Sequence, residues 1–345
     1  SGALLVMTIT DEDENHTQCT EAARRLVDGW EDASLTVRPL LGGLSNKLYL
    51  VYADPPASPS TAVMRLFCTS NDLVNREYEQ NLFLFLDECG FGPHVYGTDQ
   101  IWRAEQYLPG VPLKLEQLSE PETLAIVSDL VAQFHGLSPP ETVAPDTLST
   151  VLNQLDKWVG AALHLASKIP QDPLAERLRS SKSDFDKTLR PLLLILDSPI
   201  VFCHNDVQEG NVLRSEDGDF FLIDYEYANW NYRGYDLANV LCECIIDNNA
   251  ADNESGFSIR PELRPTQQAL ELMAYSYLSR STSRPVSSNQ VKELIQEILL
   301  FQPVSHLLWA AWAAAKTWSS TSIRFGYRQY ADARLTLFDQ EMTRS

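Results

Sequence analysis

Basic residues are scarce in this chain: 27 Lys and Arg stand against 47 Asp and Glu, a formal charge of −20 over 345 residues. Nucleic acid is held by Lys and Arg that displace counterions from phosphates, so an acidic chain without a basic patch excludes that class of partner. Cysteine is sparse too. Cys19, Cys68, Cys89, Cys203, Cys242 and Cys244 are scattered, and the close pair Cys242 and Cys244 lacks the spacing of a zinc knuckle or redox motif, so reduced thiols are expected. No uninterrupted apolar run approaches the roughly 18 residues of a membrane span. The opening Ala3-Leu4-Leu5-Val6-Met7 lacks the length and basic flank of a signal segment. These absences set the expectation of a cytoplasmic protein without membrane insertion. Internal repeats and low-complexity tracts are also missing, and 44% hydrophobic with 21% charged residues is the composition of a folded protein.

A chain of 345 residues exceeds what one core usually supports, which predicts two lobes. The pattern changes character near residue 108. Before it, a polar helix over Glu21–Trp30 leads into strands at Leu35–Leu40 and Leu48–Ala53, which flank a glycine-containing turn, and a third strand at Ala62–Phe67. A helix over Asn75–Cys89 stops at Gly90-Phe91-Gly92-Pro93, and two short strands run through His94–Tyr96 and Ile101–Tyr107. Beyond Leu108-Pro109-Gly110-Val111-Pro112 the pattern is helical: Glu120–Leu137, Thr147–Ser167, Asp172–Leu196, then a β island at Val201–Asp224, then helices to the end. The expected fold is α+β and bilobal, with a small β-rich N-lobe (18–107) and a larger, mainly helical C-lobe (108–345).

The densest chemistry lies in the β island. In Val201-Phe202-Cys203-His204-Asn205-Asp206-Val207-Gln208-Glu209-Gly210-Asn211-Val212-Leu213 an apolar frame encloses a polar loop, and a hairpin through Ser215-Glu216-Asp217-Gly218 returns to Asp224. Kinases use an Asp to accept the hydroxyl proton, an Asn on the same loop to hold Mg²⁺, and an Asp on the next strand as a second metal ligand. Asp206, Asn211 and Asp224 fill these positions in order. Oxygen donors suit a hard cation that keeps most of its waters. A polar turn between two strands is the bland alternative, and the order of His, Asp, Asn and Asp argues against it.

His204-Asn205-Asp206-Val207-Gln208-Glu209-Gly210-Asn211, Ile223-Asp224-Tyr225-Glu226-Tyr227 and Asn231-Tyr232-Arg233-Gly234-Tyr235-Asp236 together closely resemble the choline/ethanolamine kinase family, over about Val37 to Phe338. Protein kinases would carry Arg at Asn205 and Gly at Glu226. The resemblance implies a protein-kinase-like fold, ATP and Mg²⁺, a homodimer, and transfer of the γ-phosphoryl group to choline as the first step of phosphatidylcholine synthesis. Ethanolamine kinase stays open beside it, and an aminoglycoside-type phosphotransferase or a silent pseudokinase are the rivals. It also implies site roles. Gly42, Gly43, Leu44, Ser45 and Asn46 would cover the nucleotide phosphates, and Arg65 would hold them with Glu79 (or its rival Glu77) as ion-pair partner. Gln106 would lie near adenine and Gln208 near the phosphates, while His204 would brace the loop. Trp309, Trp312, Phe325, Tyr330 and Tyr227 would wall a cationic substrate with Glu243 as its acidic partner, since a quaternary ammonium is recognised by ring faces. Without the resemblance, Trp309 and Trp312, three apart on a helix, read more readily as core than as a cage. Trp158 and Trp318 carry no such implication. Asn248 stands where choline kinases place another Tyr.

Overall fold

The computed structural model describes residues 15–40, 47–67, 76–141, 143, 150–169, 171–250, 253–282, 284–319 and 325–344. The chain divides into two compact units, Ser1–Pro109 and Gly110–Ser345, two residues beyond the boundary read from the sequence.

In the first unit, residues 15–26 form helix α1, followed by β1 (Leu35–Leu40), β2 (Lys47–Ala53), β3 (Thr61–Leu66), α2 (Arg76–Glu88), β4 (Val95–Thr98) and β5 (Trp102–Gln106). The strands make one antiparallel sheet in the order β1-β2-β3-β5-β4. Strand alternation sorts its two faces. Val51, Ala53, Ala62, Met64, Trp102 and Ala104 pack on Cys19, Ala22 and Ala23 of α1 and on Val27 and Trp30 after it, all buried. The intervening residues Arg65, Arg103 and Glu105 point to the other face, where the Arg103 guanidinium lies 3.5 Å from the centroid of Phe83 on α2. The helix read at Glu21–Trp30 therefore begins earlier and ends earlier, because Gly29, at φ 83°, sits in a turn that a helix cannot continue through.

The second unit opens with β6 (Val111–Pro112), α3 (Leu115–Leu118), α4 (Pro121–His135), α5 (Val151–Ala166), α6 (Pro173–Thr188) and α7 (Arg190–Ile195). The single helix expected over Asp172–Leu196 is two, because Pro191 lacks an N–H and its ring clashes with a carbonyl one turn back. Next come β7 (Ile200–Cys203), β8 (Val212–Arg214), β9 (Phe220–Leu222), β10 (Asn229–Tyr232), α8 (Arg233–Glu243), β11 (Ile246–Asp247), β12 (Ser258–Ile259), α9 (Gln267–Ser281), α10 (Ser288–Ser319) and α11 (Tyr327–Met342). The β island is thus two small sheets, β10-β7 and β6-β8-β9, with the functional loop between them.

Helix α10 is the axis of this unit. Its 18-residue window has mean hydropathy 1.4, apolar enough for a membrane span, yet 89% of it is buried inside the protein. A reading by uninterrupted runs misses it because Gln302, Pro303, Ser305 and His306 break the run.

Gly97 fixes how α1 meets the sheet. A Cβ there would lie 2.4 Å from the carbonyl oxygen of Leu26, closer than real atoms pack, and backbone cannot rotate aside. Gly97→Ala is expected to destabilise the protein by about 1–3 kcal/mol in urea unfolding. Gly160→Ala, where nothing lies within 4 Å of the new Cβ on α5, should stabilise by about 0.5–1 kcal/mol.

Candidate active site

The loop after β7 is held by one carboxylate. Asp236, fully buried on the first turn of α8, accepts the backbone N–H of His204 and of Asn205, each at 2.8 Å, through its two oxygens. Its Oδ2 also meets His135 Nε2 at 2.9 Å, and His135 Nδ1 meets the Tyr277 hydroxyl at 2.8 Å. Burial opposes ionisation of Asp236, but the bond and charge of His135, with His204 and its N–H, hold it below the usual carboxylate range. Cys203 lies close enough to complete a metal-like trio with His135 and Asp236. Burial and the Asp236 charge push its thiol well up, however, and Sγ donates to the carbonyls of Asn231 and Tyr232, so it stays a protonated thiol.

Asn205 takes a left-handed backbone (φ 67°), a conformation Asn tolerates better than most residues. Its Nδ2 donates to the Tyr227 carbonyl at 2.9 Å and its Oδ1 accepts from Asn231 Nδ2 at 2.7 Å, tying the loop to the segment that carries Tyr227. His204 is neutral, its pKa lowered chiefly by burial: Nε2 donates to the Ile223 carbonyl at 3.0 Å and Nδ1 accepts the Asp206 N–H at 3.3 Å. It braces the loop. Ile223 is gripped again through its N–H, which donates to the Asn211 carbonyl at 3.0 Å. Asp224, with φ 65°, follows directly on this doubly held residue.

Asp206, Asn211 and Asp224 are brought together in this way. Asn211 Nδ2 donates to the Asp206 carbonyl (2.8 Å) and to its Oδ2 (3.1 Å), which turns the amide oxygen into the free ligand atom of Asn211. Burial and then the charges of Glu243, Asp224 and Glu226 push the Asp206 carboxyl well up. So much like charge converging on buried oxygen donors fits a divalent cation held by Asn211 and Asp224. Gln208 caps the 3₁₀ turn at Glu209–Asn211 by accepting the Gly210 N–H at 3.0 Å.

The rings named from the sequence belong to one chain of contacts, edge to face from Tyr227 to Tyr327 and tilted at Phe325. Trp309 lies 5.5 Å from Tyr227 and 5.7 Å from Trp312, Trp312 lies 5.6 Å from Tyr327, and Phe325 lies 5.1 Å from Tyr327 and 5.3 Å from Tyr330. Trp158 joins it 5.9 Å from Tyr227 and 6.0 Å from Trp309, which the sequence did not indicate. Trp309 Nε1 and Ser305 Oγ both donate to Asn239 Oδ1, orienting the indole from α8.

Glu243 has a partner that sequence reasoning missed. Arg334, 1% exposed on α11, donates to Glu243 Oε1 and to the Tyr330 hydroxyl. The signal was available: Tyr330 and Arg334 are four apart on one helix. Glu243 Oε2 accepts from Asn248 Nδ2 at 2.9 Å. Asn248 also bonds the buried Glu209, through its backbone N–H at 3.0 Å and through Nδ2 at 3.5 Å. Burial, then the Glu243 charge, raise Glu209 to about 8. Glu243, expected from the sequence to stand alone as the acidic partner of a cationic substrate, is instead bonded to Arg334 and joined through Asn248 to Glu209.

In the first unit the expected Arg65–Glu79 pair gives way to a longer chain. Arg65 Nε donates to Glu105 Oε1 at 3.0 Å, Arg103 Nε to the same oxygen at 2.8 Å, and Arg103 reaches Glu79 at 3.4 Å. Glu77 is exposed. Gln106 Oε1 accepts the His94 N–H at 3.2 Å, at the end of β5. Gly42, Gly43, Leu44, Ser45 and Asn46 lie outside the described residues.

Residues 37–339 match the family described as Choline/ethanolamine kinase. The chain is 32% identical over 323 residues to the choline/ethanolamine kinase of Rattus norvegicus, covering 89% of this chain and 80% of that one. It is 28% identical to a probable ethanolamine kinase A of Dictyostelium discoideum, covering 95% and 92%. The crystal structure of a choline kinase from Cryptosporidium parvum superposes with a TM-score of 0.82 at 24% identity, covering 94% of each chain. The chain belongs to the choline/ethanolamine kinase family.

Proposed function

We propose that this ATP-dependent phosphotransferase takes choline as its acceptor and admits ethanolamine to the same pocket. The observation that supports choline is the ring chain Trp158, Tyr227, Trp309, Trp312 and Tyr327. Ring faces attract a quaternary ammonium that offers no N–H donors. An aminoglycoside, with several ammonium groups, would call for carboxylates where this pocket has indoles.

In this reading the acceptor hydroxyl lies against Asp206. The hydroxyl oxygen bonds the γ-phosphorus of ATP, the bond to ADP breaks, and Asp206 takes the proton. Mg²⁺, when bound by Asn211 Oδ1 and Asp224, neutralises phosphate charge. Asn211 Nδ2 keeps the Asp206 carboxylate oriented. Such chemistry depends mostly on position and charge.

Ethanolamine is favoured by a different observation. Glu209 and Asn248 offer hydrogen-bonding oxygens beside Glu243, and these suit the N–H groups of a primary ammonium.

Two experiments test the proposal. ADP release with choline and with ethanolamine, measured side by side, should be Mg²⁺-dependent for both, and Asp206→Asn should lower kcat by about 10²–10⁴-fold. Nucleotide binding without turnover of either acceptor would refute it. Asn248→Tyr should raise the ratio of kcat/KM for choline over ethanolamine by about 10-fold, the scale set by one hydrogen-bonding partner of a buried charge. An unchanged ratio would remove Asn248 from acceptor choice.

A further inference from the structure

The helical unit holds a cavity of about 270 Å³ lined by Leu241 of α8, Arg264, Leu270 of α9, Leu299, Leu300 and Gln302 of α10, and Glu341 and Arg344 at the end of α11. Its apolar part is leucine, and its polar part is assembled around one oxygen. Arg264 Nη2 and Arg344 Nη1 converge on Glu341 Oε1 at 2.7 and 3.1 Å. Two guanidiniums thus face one carboxylate among the lining residues, in a chain whose net charge is −20. Gln302 is 4% exposed, and its side-chain amide has no hydrogen-bond partner among the described residues. Gln302 thus has donors and an acceptor to offer a polar occupant of the cavity.

We infer that this cavity is a second binding site, for a small amphipathic anion whose oxyanion meets Arg264, Arg344 and Gln302 while its stem lies on the leucines, and that occupancy tunes the acceptor pocket. A ~150 Å³ apolar cavity accommodates benzene, so this one takes a stem of roughly six carbons. Guanidinium forks suit carboxylate and phosphate oxygens alike.

The route to the acceptor pocket is short and continuous. Gln302 and His306 are four apart on α10, and His306 Nδ1 lies 3.3 Å from Arg334 Nη1. Arg334 in turn holds Glu243. Burial, Arg334 and then Arg264 keep His306 neutral, so the charge of Arg264 already reaches this network. Leu241, on the cavity wall, is two residues from Glu243. Neutralising Arg264 from the cavity side therefore alters the field on the Arg334–Glu243 pair. The coupling rests on Glu243 belonging to the acceptor pocket, whereas binding to the cavity does not.

Calorimetry on the full chain at saturating choline tests the site, with hexanoate and hexyl phosphate as probes and hexanol and inorganic phosphate as controls. Each probe should bind one per chain and each control at least about 10-fold more weakly; the tighter probe identifies the oxyanion. Arg264→Ala should weaken probe binding at least about 10-fold. Leu270→Trp, which fills the cavity and leaves both guanidiniums in place, should do the same, with melting temperatures confirming folded variants. Binding of hexanol equal to that of the probes, no binding of either probe, or binding indifferent to both variants would overturn the site. Saturating probe should shift the KM for choline at least about 3-fold in the wild-type enzyme and not in Leu270→Trp; an unshifted KM would overturn the coupling. Absence of any choline turnover alongside intact probe binding would reject the acceptor reading and leave the site standing.

Discussion

The double hydrogen bond from Asp236 to the loop N–H groups of His204 and Asn205 is the constraint on which the catalytic geometry depends. A loop that must present Asp206 and Asn211 with their oxygens inward cannot satisfy its own backbone donors through a strand ladder. Asp236 satisfies two of them at once, from a helix fixed in the core, and its Oδ2 also meets His135 Nε2 at 2.9 Å. The left-handed turn at Asn205 follows from this grip, and the side chain of Asn205 passes it on to Tyr227 and Asn231. Phe134, beside His135, packs its ring on Phe202 and parallel to Tyr225, so the apolar frame of the loop and its polar anchor come from one end of α4.

A second buried arrangement centres on Glu243. Glu243 would be costly to bury alone. Arg334 neutralises it and also fixes the Tyr330 hydroxyl, so Glu243 and Tyr330 share one guanidinium. Such pairs hold geometry more than they add stability. Glu209 then remains as the carboxylate without an Arg, joined to Glu243 by Asn248, and burial beside that negative charge is what lifts its pKa.

The candidate catalytic loop was legible in the sequence because its signals are local: Asn211 lies five positions after Asp206, and a hairpin with Gly218 at φ 92° returns to Asp224. What escaped depends on contacts distant in the chain. Asp236 was visible as part of a motif, but its task 31 and 32 residues upstream was not. The family resemblance paired Arg65 with Glu79, whereas in the sheet Arg65 sits directly opposite Arg103. Like charges opposite one another on neighbouring strands repel, and Glu105, bonding both, resolves the conflict. Trp158 could not be distinguished from core because helical spacing says which side of α5 it faces and not what faces it.

The most direct measurement is single-turnover phosphoryl transfer by Asp236→Asn, an isosteric change that removes the charge and one of the paired acceptor oxygens. Misplacing the loop by about 1 Å predicts a loss of roughly 100-fold in the transfer rate, with ATP binding by calorimetry unchanged. A folded Asp236→Asn enzyme that transfers the phosphoryl group at the wild-type rate would contradict the account.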